Sequence, residues 1–371
     1  MLPIDLATPG VRALSPYLPG KPTGELEREL GISNIVKLAS NENPLGPSPK
    51  ALAAAQRALG ELHLYPDGGG FELKSALAWK LGVASEQITL GNGSNDVLAL
   101  VAQTFLASGL KAVFAEHAFA IYPIVTRMVG AESAVAPPHD GSRGPRYGHD
   151  LDAMARRVDA DTRVVFVANP NNPTGNHVGK AELRAFLGGL PEHVIAVVDE
   201  AYIEYAVEPD FADAVEWLEE LPNLIVTRTF SKAYGLAGLR VCYAISSPAI
   251  ADLLNRVRQP FNVNAPALEA AKAALEDEAH LARSVQVNRD GLAQLGEALA
   301  ARELEAIPSV GNFITFHLDR PAAPVFEALL REGVIVRPIA NYGLPNHLRV
   351  TVGTAEQNAL FLAALDRVLG L

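Results

Sequence analysis

The amino-acid sequence predicts an α/β fold built on a mainly parallel sheet. Four short apolar runs alternate with stretches of helical pattern, and they lie at residues 112–114, 163–168, 194–198 and 224–226. Each run is continuously apolar, which is typical of strands covered on both faces. At 371 residues, with 49% hydrophobic and 20% charged residues, the chain is long enough for one large α/β unit or two domains.

We expect three regions along the chain. Residues 1–35 contain Pro-Gly turns and one short amphipathic stretch, too little to fold alone, so we interpret them as an arm laid on a larger body. Residues 36–262 carry the parallel-sheet pattern and form a large domain. Residues 263–371 begin with a helical stretch to about residue 301 and form a smaller α+β domain. Its strands are predicted at 312–316, 334–337 and 348–352.

Several elements precede the sheet pattern. Residues 50–59 and 72–81 are rich in Ala and Leu and predict two helices, separated by a Pro-Gly loop at 65–70. Residues 88–98 pass from an apolar strand through a Gly-rich turn into a helix. In such an arrangement backbone N–H groups and the helix dipole point toward an anion. An ordinary strand-to-helix turn explains the same pattern equally well.

The composition disfavours several classes of function. With 31 Lys plus Arg against 42 Asp plus Glu, the net charge of −11 argues against nucleic acid as the main partner. No apolar run reaches the roughly 18 residues of a membrane span, and the first residues lack a signal-peptide pattern, so we expect a cytoplasmic protein. Cys242 is expected to be a core residue, and the scattered histidines predict no metal site.

One lysine, Lys232, follows the apolar run at 224–226 and stands out as a candidate nucleophile. A lysine can form a Schiff base when its amine loses a proton near neutral pH, which burial or a neighbouring cation favours. Thr229, Ser231 and Arg240 lie close by in sequence and suit a phosphate. An electrophile that carries both an aldehyde and a phosphate is pyridoxal phosphate.

The other polar segments also follow predicted strands, and ligands of parallel sheets bind at that edge. Asp199 ends one strand, where a carboxylate would hold a pyridinium nitrogen protonated. Tyr202 and Asn172 offer hydrogen bonds to a phenolic oxygen. Taken alone, a buried Asp at a strand end is more simply a helix cap.

The sequence resembles the fold-type I PLP-dependent aminotransferases and, within them, the histidinol-phosphate aminotransferases. The matching segments follow the family's order over nearly the whole chain: 40–46 (SNENPLG), 65–68 (YPDG), 91–96 (GNGSND), 169–175 (NPNNPTG), 198–202 (VDEAY), 229–240 (TFSKAYGLAGLR), 311–313 (GNF) and 348–353 (LRVTVG). The resemblance implies a large domain with a mainly parallel seven-stranded sheet between helices, a smaller α+β C-terminal domain, and pyridoxal 5′-phosphate as cofactor.

The resemblance also implies roles for individual residues. Lys232 would bond to the cofactor and move the substrate proton, with Asp199 at the ring nitrogen and Tyr202 with Asn172 at the ring oxygen. Phe119 would stack on the ring, where many members of the family carry tyrosine. Five residues would hold the phosphate: Ser94, Asn95, Thr229, Ser231 and Arg240. Tyr65 would reach the phosphate in a second subunit, which makes a homodimer obligatory for activity.

Substrate recognition is implied by the same resemblance. Arg349 matches the arginine that clamps a carboxylate, a role that suits a planar guanidinium. Arg337 and Tyr17 match a pair carried by the histidinol-phosphate group, and Asn172 would also contact the substrate. The implied reaction is transamination between L-histidinol phosphate and 2-oxoglutarate, which gives imidazole acetol phosphate and L-glutamate. A surface ion pair is the alternative interpretation of Arg337.

Four other functions remain open at this point. An aromatic amino acid aminotransferase, acting on phenylalanine or tyrosine, would share every cofactor residue. A decarboxylase of phosphorylated threonine would release carbon dioxide instead of exchanging an amino group. A non-catalytic sensor with the same fold is disfavoured because every catalytic residue type is present. A nucleotide-binding protein is disfavoured because residues 91–94 lack the dinucleotide and phosphate-loop patterns.

Overall fold

The computed structural model describes residues 2–17 and 19–371, and these residues form three sheets. The strands in chain order are β1 (Val36–Lys37), β2 (Ile88–Gly91), β3 (Lys111–Ala115), β4 (Glu132–Ala136), β5 (Thr162–Ala168), β6 (Ile195–Asp199), β7 (Leu224–Thr229), β8 (Cys242–Ser246), β9 (Ala306–Ile307), β10 (Phe313–His317), β11 (Val334–Ile335), β12 (Arg337–Ile339) and β13 (Leu344–Thr351).

The largest sheet has seven strands in the order β2-β8-β7-β6-β5-β3-β4. Strands β4, β3, β5, β6 and β7 run parallel, whereas β8 is antiparallel to both of its neighbours. The four predicted apolar runs are β3, β5, β6 and β7, so the predicted mainly parallel sheet is confirmed. The sequence did not predict β4, because this edge strand is only partly buried and its apolar pattern is weak.

Fourteen α-helices accompany the sheets in the described residues. They are α1 (Pro3–Leu6), α2 (Pro9–Arg12), α3 (Thr23–Leu30), α4 (Pro49–Ala58), α5 (Phe71–Leu81), α6 (Ser94–Phe105), α7 (Ile121–Met128), α8 (Leu151–Ala155), α9 (Lys180–Gly188), α10 (Pro248–Val257), α11 (Ala265–Leu275), α12 (Glu278–Ala300), α13 (Ala322–Arg331) and α14 (Ala355–Leu369). The predicted helical stretch to residue 301 is two helices, since the side chain of Asp277 caps α12 by accepting from the His280 N–H.

The C-terminal part of the chain holds a four-stranded antiparallel sheet in the order β12-β13-β10-β9. The strand predicted at 334–337 divides into two. Its first residues, in β11, pair in parallel with β1, and the rest, in β12, pair with β13. This division places Arg337 directly opposite Arg349 on adjacent strands.

The predicted division into 1–35, 36–262 and 263–371 stays a prediction. The side chains of Val36 and Leu38 pack in the core of the C-terminal sheet, and α11 packs in the core of the seven-stranded sheet. Met1 and Leu18, both within the predicted arm, lie outside the described residues. Over residues 2–17 and 19–371, no helix combines the length and the apolar character that crossing a membrane requires.

Candidate active site

A cavity of about 130 Å³ lies at the carboxyl ends of β5, β6 and β7. Because parallel strands end at the same edge of the sheet, residues far apart in sequence meet there. The structure brings together these residues that the sequence predicted for the cofactor: Ser94, Asn95, Phe119, Asn172, Asp199, Tyr202, Thr229, Ser231, Lys232 and Arg240. Tyr65 does not line this cavity.

Lys232 lies in the loop that follows β7, and its Nζ donates to the carbonyl oxygen of Ser40 at 3.2 Å. Burial and, to a smaller extent, the positive charge of Arg349 together lower the pKa of this amine to about 8. About a tenth of the amine is therefore unprotonated at pH 7, far more than for an ordinary lysine. An unprotonated amine is what nucleophilic attack and proton abstraction require.

Asp199 ends β6 and is 4% exposed. The hydroxyl of Tyr122 donates to its Oδ2 at 3.0 Å, while Oδ1 has no hydrogen-bond partner among the described residues. Burial raises the pKa of this carboxyl. An orphaned carboxylate oxygen facing the cavity fits a ligand with a protonated ring nitrogen, which supplies both the missing hydrogen bond and a compensating charge.

The opposite end of the cavity suits an anion. Gly93 precedes α6 with φ of 83°, and a Cβ at this position would lie 1.9 Å from a guanidinium nitrogen of Arg240. Only glycine therefore lets the guanidinium approach the start of α6. Ser231 adds a hydroxyl 3.5 Å from Arg240 Nη1. The N-terminus of this 12-residue helix and the guanidinium together offer backbone N–H groups and a positive charge, an arrangement that suits a phosphate.

Tyr202 and Asn172 lie between these two ends. The Tyr202 hydroxyl accepts a hydrogen bond from Asn41 Nδ2 at 2.9 Å, and burial raises the pKa of Tyr202 to about 12. The hydroxyl is therefore a neutral donor at physiological pH, which suits a phenolate oxygen. Asn172 Oδ1 accepts from Arg349, whose other terminal nitrogen donates to the carbonyl of Ala39 at 2.7 Å.

Phe119 lies on the wall of the cavity, edge-on to Tyr122 with ring centroids 5.9 Å apart. Tyr122 in turn stacks on Phe166 at 4.7 Å. This row of rings fixes the wall against which a flat cofactor ring could stack. The residues present therefore fit pyridoxal phosphate at its ring, its ring nitrogen, its ring oxygen and its phosphate.

Tyr17 and Arg337 line a second, larger cavity of about 830 Å³ between the N-terminal arm, α7 and α13. The Arg337 guanidinium lies over the Tyr17 ring, 5.8 Å from its centroid. The buried Arg349, opposite Arg337, completes a pair of cations beside Asn172. Burial lowers the pKa of Arg349, and its Nε has no partner among the described residues.

Tyr65 lies outside both cavities, with 83% of its surface exposed. Its ring stacks on Phe261, with centroids 4.7 Å apart and an interplanar angle of 23°. The structure therefore separates Tyr65 from the other predicted cofactor residues of its own chain. Its exposure leaves it accessible to another molecule.

Sequence reasoning missed several residues of the site. Tyr122 donates a hydrogen bond to Asp199, and Asn41 donates one to Tyr202. The carbonyl oxygen of Ser40 accepts a hydrogen bond from Lys232. Both Ser40 and Asn41 belong to the segment 40–46 that matches the family, and its dense turn residues and side-chain amides are a sequence signal for a site but not for these contacts. Beneath Asp199, the buried Glu200 accepts from Arg228 and from the Ala214 N–H, which anchors the strand end.

Comparison with known proteins agrees with this geometry. The sequence profile of aminotransferase class I and II matches residues 33–365. The chain is 68% identical over 364 residues to histidinol-phosphate aminotransferase 2 of Methylococcus capsulatus, covering 98% of each chain. It is 59% identical to the protein of that name from Pseudomonas aeruginosa, covering 99% of this chain and 98% of that one.

A solved structure of histidinol-phosphate aminotransferase from Sinorhizobium meliloti, in complex with pyridoxal-5′-phosphate, superposes with a TM-score of 0.89. The identity is 29%, and the match covers 98% of this chain and 97% of that one. The sequence profile, the relatives and the shared architecture lead to one conclusion. This chain belongs to the class I and II aminotransferase family.

Proposed function

We propose that this protein is a PLP-dependent transaminase that converts L-histidinol phosphate and 2-oxoglutarate to imidazole acetol phosphate and L-glutamate, a step of histidine biosynthesis. The 68% identity to a histidinol-phosphate aminotransferase supports the reaction. The observation that carries the substrate choice is the pair of arginines, Arg337 and Arg349, opposite each other on adjacent strands. A phosphate dianion and the carboxylates of 2-oxoglutarate both need such cations.

The cofactor is pyridoxal 5′-phosphate, which supplies an electron sink for the substrate's Cα–H bond when bound. Ser94, Asn95, Thr229, Ser231 and Arg240 hold its phosphate. Asp199 pairs with the ring nitrogen, Tyr202 and Asn172 bind the ring oxygen, and Phe119 stacks on the ring. These assignments rest on the common cavity and on the family resemblance.

Lys232 carries the proton transfer. Its Nζ would take the proton from the substrate's Cα, because Lys232 is the lysine among the residues that line the cavity. Its lowered pKa keeps the amine available as a base near neutral pH. The hydrogen bond to Ser40 holds the amine at the cavity wall.

Asp199 must be ionised to hold a proton on the ring nitrogen. Burial alone opposes ionisation, whereas the hydrogen bond from Tyr122 favours it. A cationic ring nitrogen bound by Asp199 would offset the remaining desolvation cost. Asp199 and Tyr202 therefore act with Lys232 as the catalytic residues, each in contact with the cofactor.

The substrates bind on the side of the second cavity. Arg349 would hold the carboxylate of glutamate or 2-oxoglutarate, with Asn172 beside it. Arg337 and Tyr17, which line the larger cavity, would receive the phosphate of histidinol phosphate. One site can thus serve both half-reactions with two cations of the same type.

The active form is a homodimer in the cytoplasm. Tyr65 is exposed in one chain and separated from its own cofactor pocket, so a second copy is the source of the hydroxyl that completes the phosphate site. The acidic composition supports small-molecule substrates rather than nucleic acid as partners.

A half-reaction experiment tests the function. The purified protein is loaded with pyridoxal phosphate and mixed separately with L-histidinol phosphate, glutamate, phenylalanine and phosphorylated threonine. The cofactor absorbance is then followed as pyridoxamine phosphate forms. We expect fast conversion with the first two and slow conversion with phenylalanine. Fast conversion by phenylalanine alone would move the function to aromatic amino acids, and release of carbon dioxide from a phosphorylated amino acid would indicate a decarboxylase.

A further inference from the structure

The loop that joins α10 to α11 carries an unusual aromatic residue, Phe261. Its backbone has φ of 59°, in the left-handed region that bulky residues rarely adopt. Its side chain is also 45% exposed, so burial does not compensate fully for the strain. Strained positions of this kind occur where the surrounding structure or the function needs the side chain in one orientation.

The ring of Phe261 has two contacts on the Tyr65 loop. It stacks on the Tyr65 ring with centroids 4.7 Å apart. It also lies against Gly68, where an added Cβ would come within 3.2 Å of two atoms of the Phe261 ring. Arg258 holds the same loop from the side, since its Nη2 donates to the Gly68 carbonyl at 2.9 Å. The Tyr65 side chain is therefore exposed to solvent, but these contacts fix the orientation of its ring.

The same segment is fastened to the phosphate turn of its own chain. Arg258 Nη1 donates to Asn262 Oδ1 at 2.7 Å, and Asn262 Nδ2 donates to Asp96 Oδ2 at 2.8 Å. Asp96 Oδ2 also accepts from the Asn92 N–H at 2.8 Å, which fixes the turn before α6. Residues 258–262 thus connect the start of α6 with the loop that presents Tyr65.

We propose that Phe261 is a positioning residue that acts on the second subunit's cofactor phosphate through Tyr65. The proposal rests on the homodimer of the proposed function, in which Tyr65 enters the other copy's site. In a free loop the tyrosine would lose rotational freedom on reaching the phosphate. Stacking on Phe261 imposes that restriction beforehand, so binding of the phosphate is stronger.

The first test measures cofactor binding by apoprotein variants. Phe261→Ala should weaken pyridoxal phosphate binding about three- to tenfold, the size expected for an aromatic pair. Phe261→Gly relieves the positive φ but also removes the ring, so it should weaken binding as much as Phe261→Ala does while raising thermal stability above that of Phe261→Ala. Phe261→Tyr should restore binding. If Phe261→Gly binds the cofactor like the unaltered protein, the ring has no such role.

A second ligand separates positioning from general damage. Pyridoxal has the same ring and aldehyde but no phosphate, so Tyr65 has nothing to bind at that end. We expect its affinity to be unchanged in Phe261→Ala. Equal weakening for pyridoxal and pyridoxal phosphate would overturn the proposal, because a distorted pocket affects both ligands.

Hybrid dimers test whether the effect crosses between subunits. A Lys232→Ala chain and a Phe261→Ala chain, carrying different affinity tags, are co-expressed and the mixed dimer is purified. One of its two pockets then combines an intact Lys232 with a Tyr65 loop that still has Phe261. We expect that pocket to bind pyridoxal phosphate, measured by the absorbance of lysine-bonded cofactor, with the affinity of the unaltered protein. Affinity equal to that of the Phe261→Ala homodimer would overturn the proposal.

A matched hybrid distinguishes this proposal from the proposed function. A Tyr65→Phe chain replaces the Phe261→Ala chain in the same mixed dimer. If the affinity for pyridoxal phosphate returns to that of the unaltered protein in the Tyr65→Phe hybrid but not in the Phe261→Ala hybrid, only the role of Phe261 is rejected. If the affinity returns in neither hybrid, the placement of Tyr65 in the second subunit's site is rejected.

Discussion

The two cavities differ in how their residues are held. We call the 130 Å³ cavity at the strand ends the cofactor side and the 830 Å³ cavity beside the N-terminal arm the substrate side. On the cofactor side, Asp199 and Thr229 end adjacent buried strands, and strand register alone fixes their separation. On the substrate side, the 48% exposed Tyr17 comes from the N-terminal arm and Arg337 from a short strand. The first set of residues is fixed by the pairing of strands within one sheet, whereas the second set is assembled from separate segments of the chain.

The comparison predicts that changes on the cofactor side abolish activity toward every substrate. Lys232→Ala removes both the covalent attachment and the base, so transamination of all amino donors should fall by about 10⁴-fold or more. Steady-state rates and the cofactor absorbance check the result. Lys180→Ala, which removes an exposed lysine paired with Glu216, is the control and should keep full activity. Substantial turnover by Lys232→Ala would remove the lysine from the mechanism.

Asp199→Asn should cause the next largest loss. The neutral amide cannot hold the ring nitrogen protonated, so the electron sink weakens and kcat should drop about 10²- to 10³-fold for histidinol phosphate and for glutamate alike. Asp252→Asn, which alters an exposed carboxylate paired with Arg256, is the matched control. A loss confined to one donor would show that Asp199 acts on the substrate instead.

Arg337→Ala should sharpen the difference between the two sides. If Arg337 binds the substrate phosphate as proposed, its removal should lower kcat/KM for histidinol phosphate about 10- to 100-fold, since charge-assisted hydrogen bonds are strong. Activity with phenylalanine should change less than about threefold. Arg184→Ala, which removes an arginine from a surface pair with Glu220, serves as the control. Equal losses for both donors would mean that Arg337 has a structural role.

The smallest expected effect concerns the stability of the apoprotein. The pKa of Lys232 is lowered from about 10.5 to about 8, so between these values the unfolded chain binds more protons than the folded one. Stability therefore rises with pH across this window, and the buried charge costs most below pH 8. Lys232→Met should be more stable by about 3 kcal/mol at pH 7, with the difference shrinking toward pH 10. Urea unfolding of both apoproteins at the two pH values measures this. If the difference in unfolding free energy between the two apoproteins does not change with pH, the lowered pKa of Lys232 is contradicted.

The sequence by itself determined the parallel strands β3, β5, β6 and β7 and most of the pocket, because both depend on local patterns. Continuous apolar runs mark buried strands, and residues that follow such strands must meet at one edge, so the sequence predicts that Asn172, Asp199 and Lys232 lie together. The motif segments around them carried the cofactor assignment.

Only the tertiary structure decided the contacts that cross between segments. The hydrogen bonds of Tyr122 to Asp199 and of Asn41 to Tyr202 join residues far apart in sequence, and no periodicity encodes such partners. The division of residues 334–337 between two sheets likewise depends on β1 lying alongside β11. The position of Tyr65 outside its own pocket and stacked on Phe261 is also a tertiary fact, since a stretch of sequence specifies turns and faces but not which surface a loop will meet.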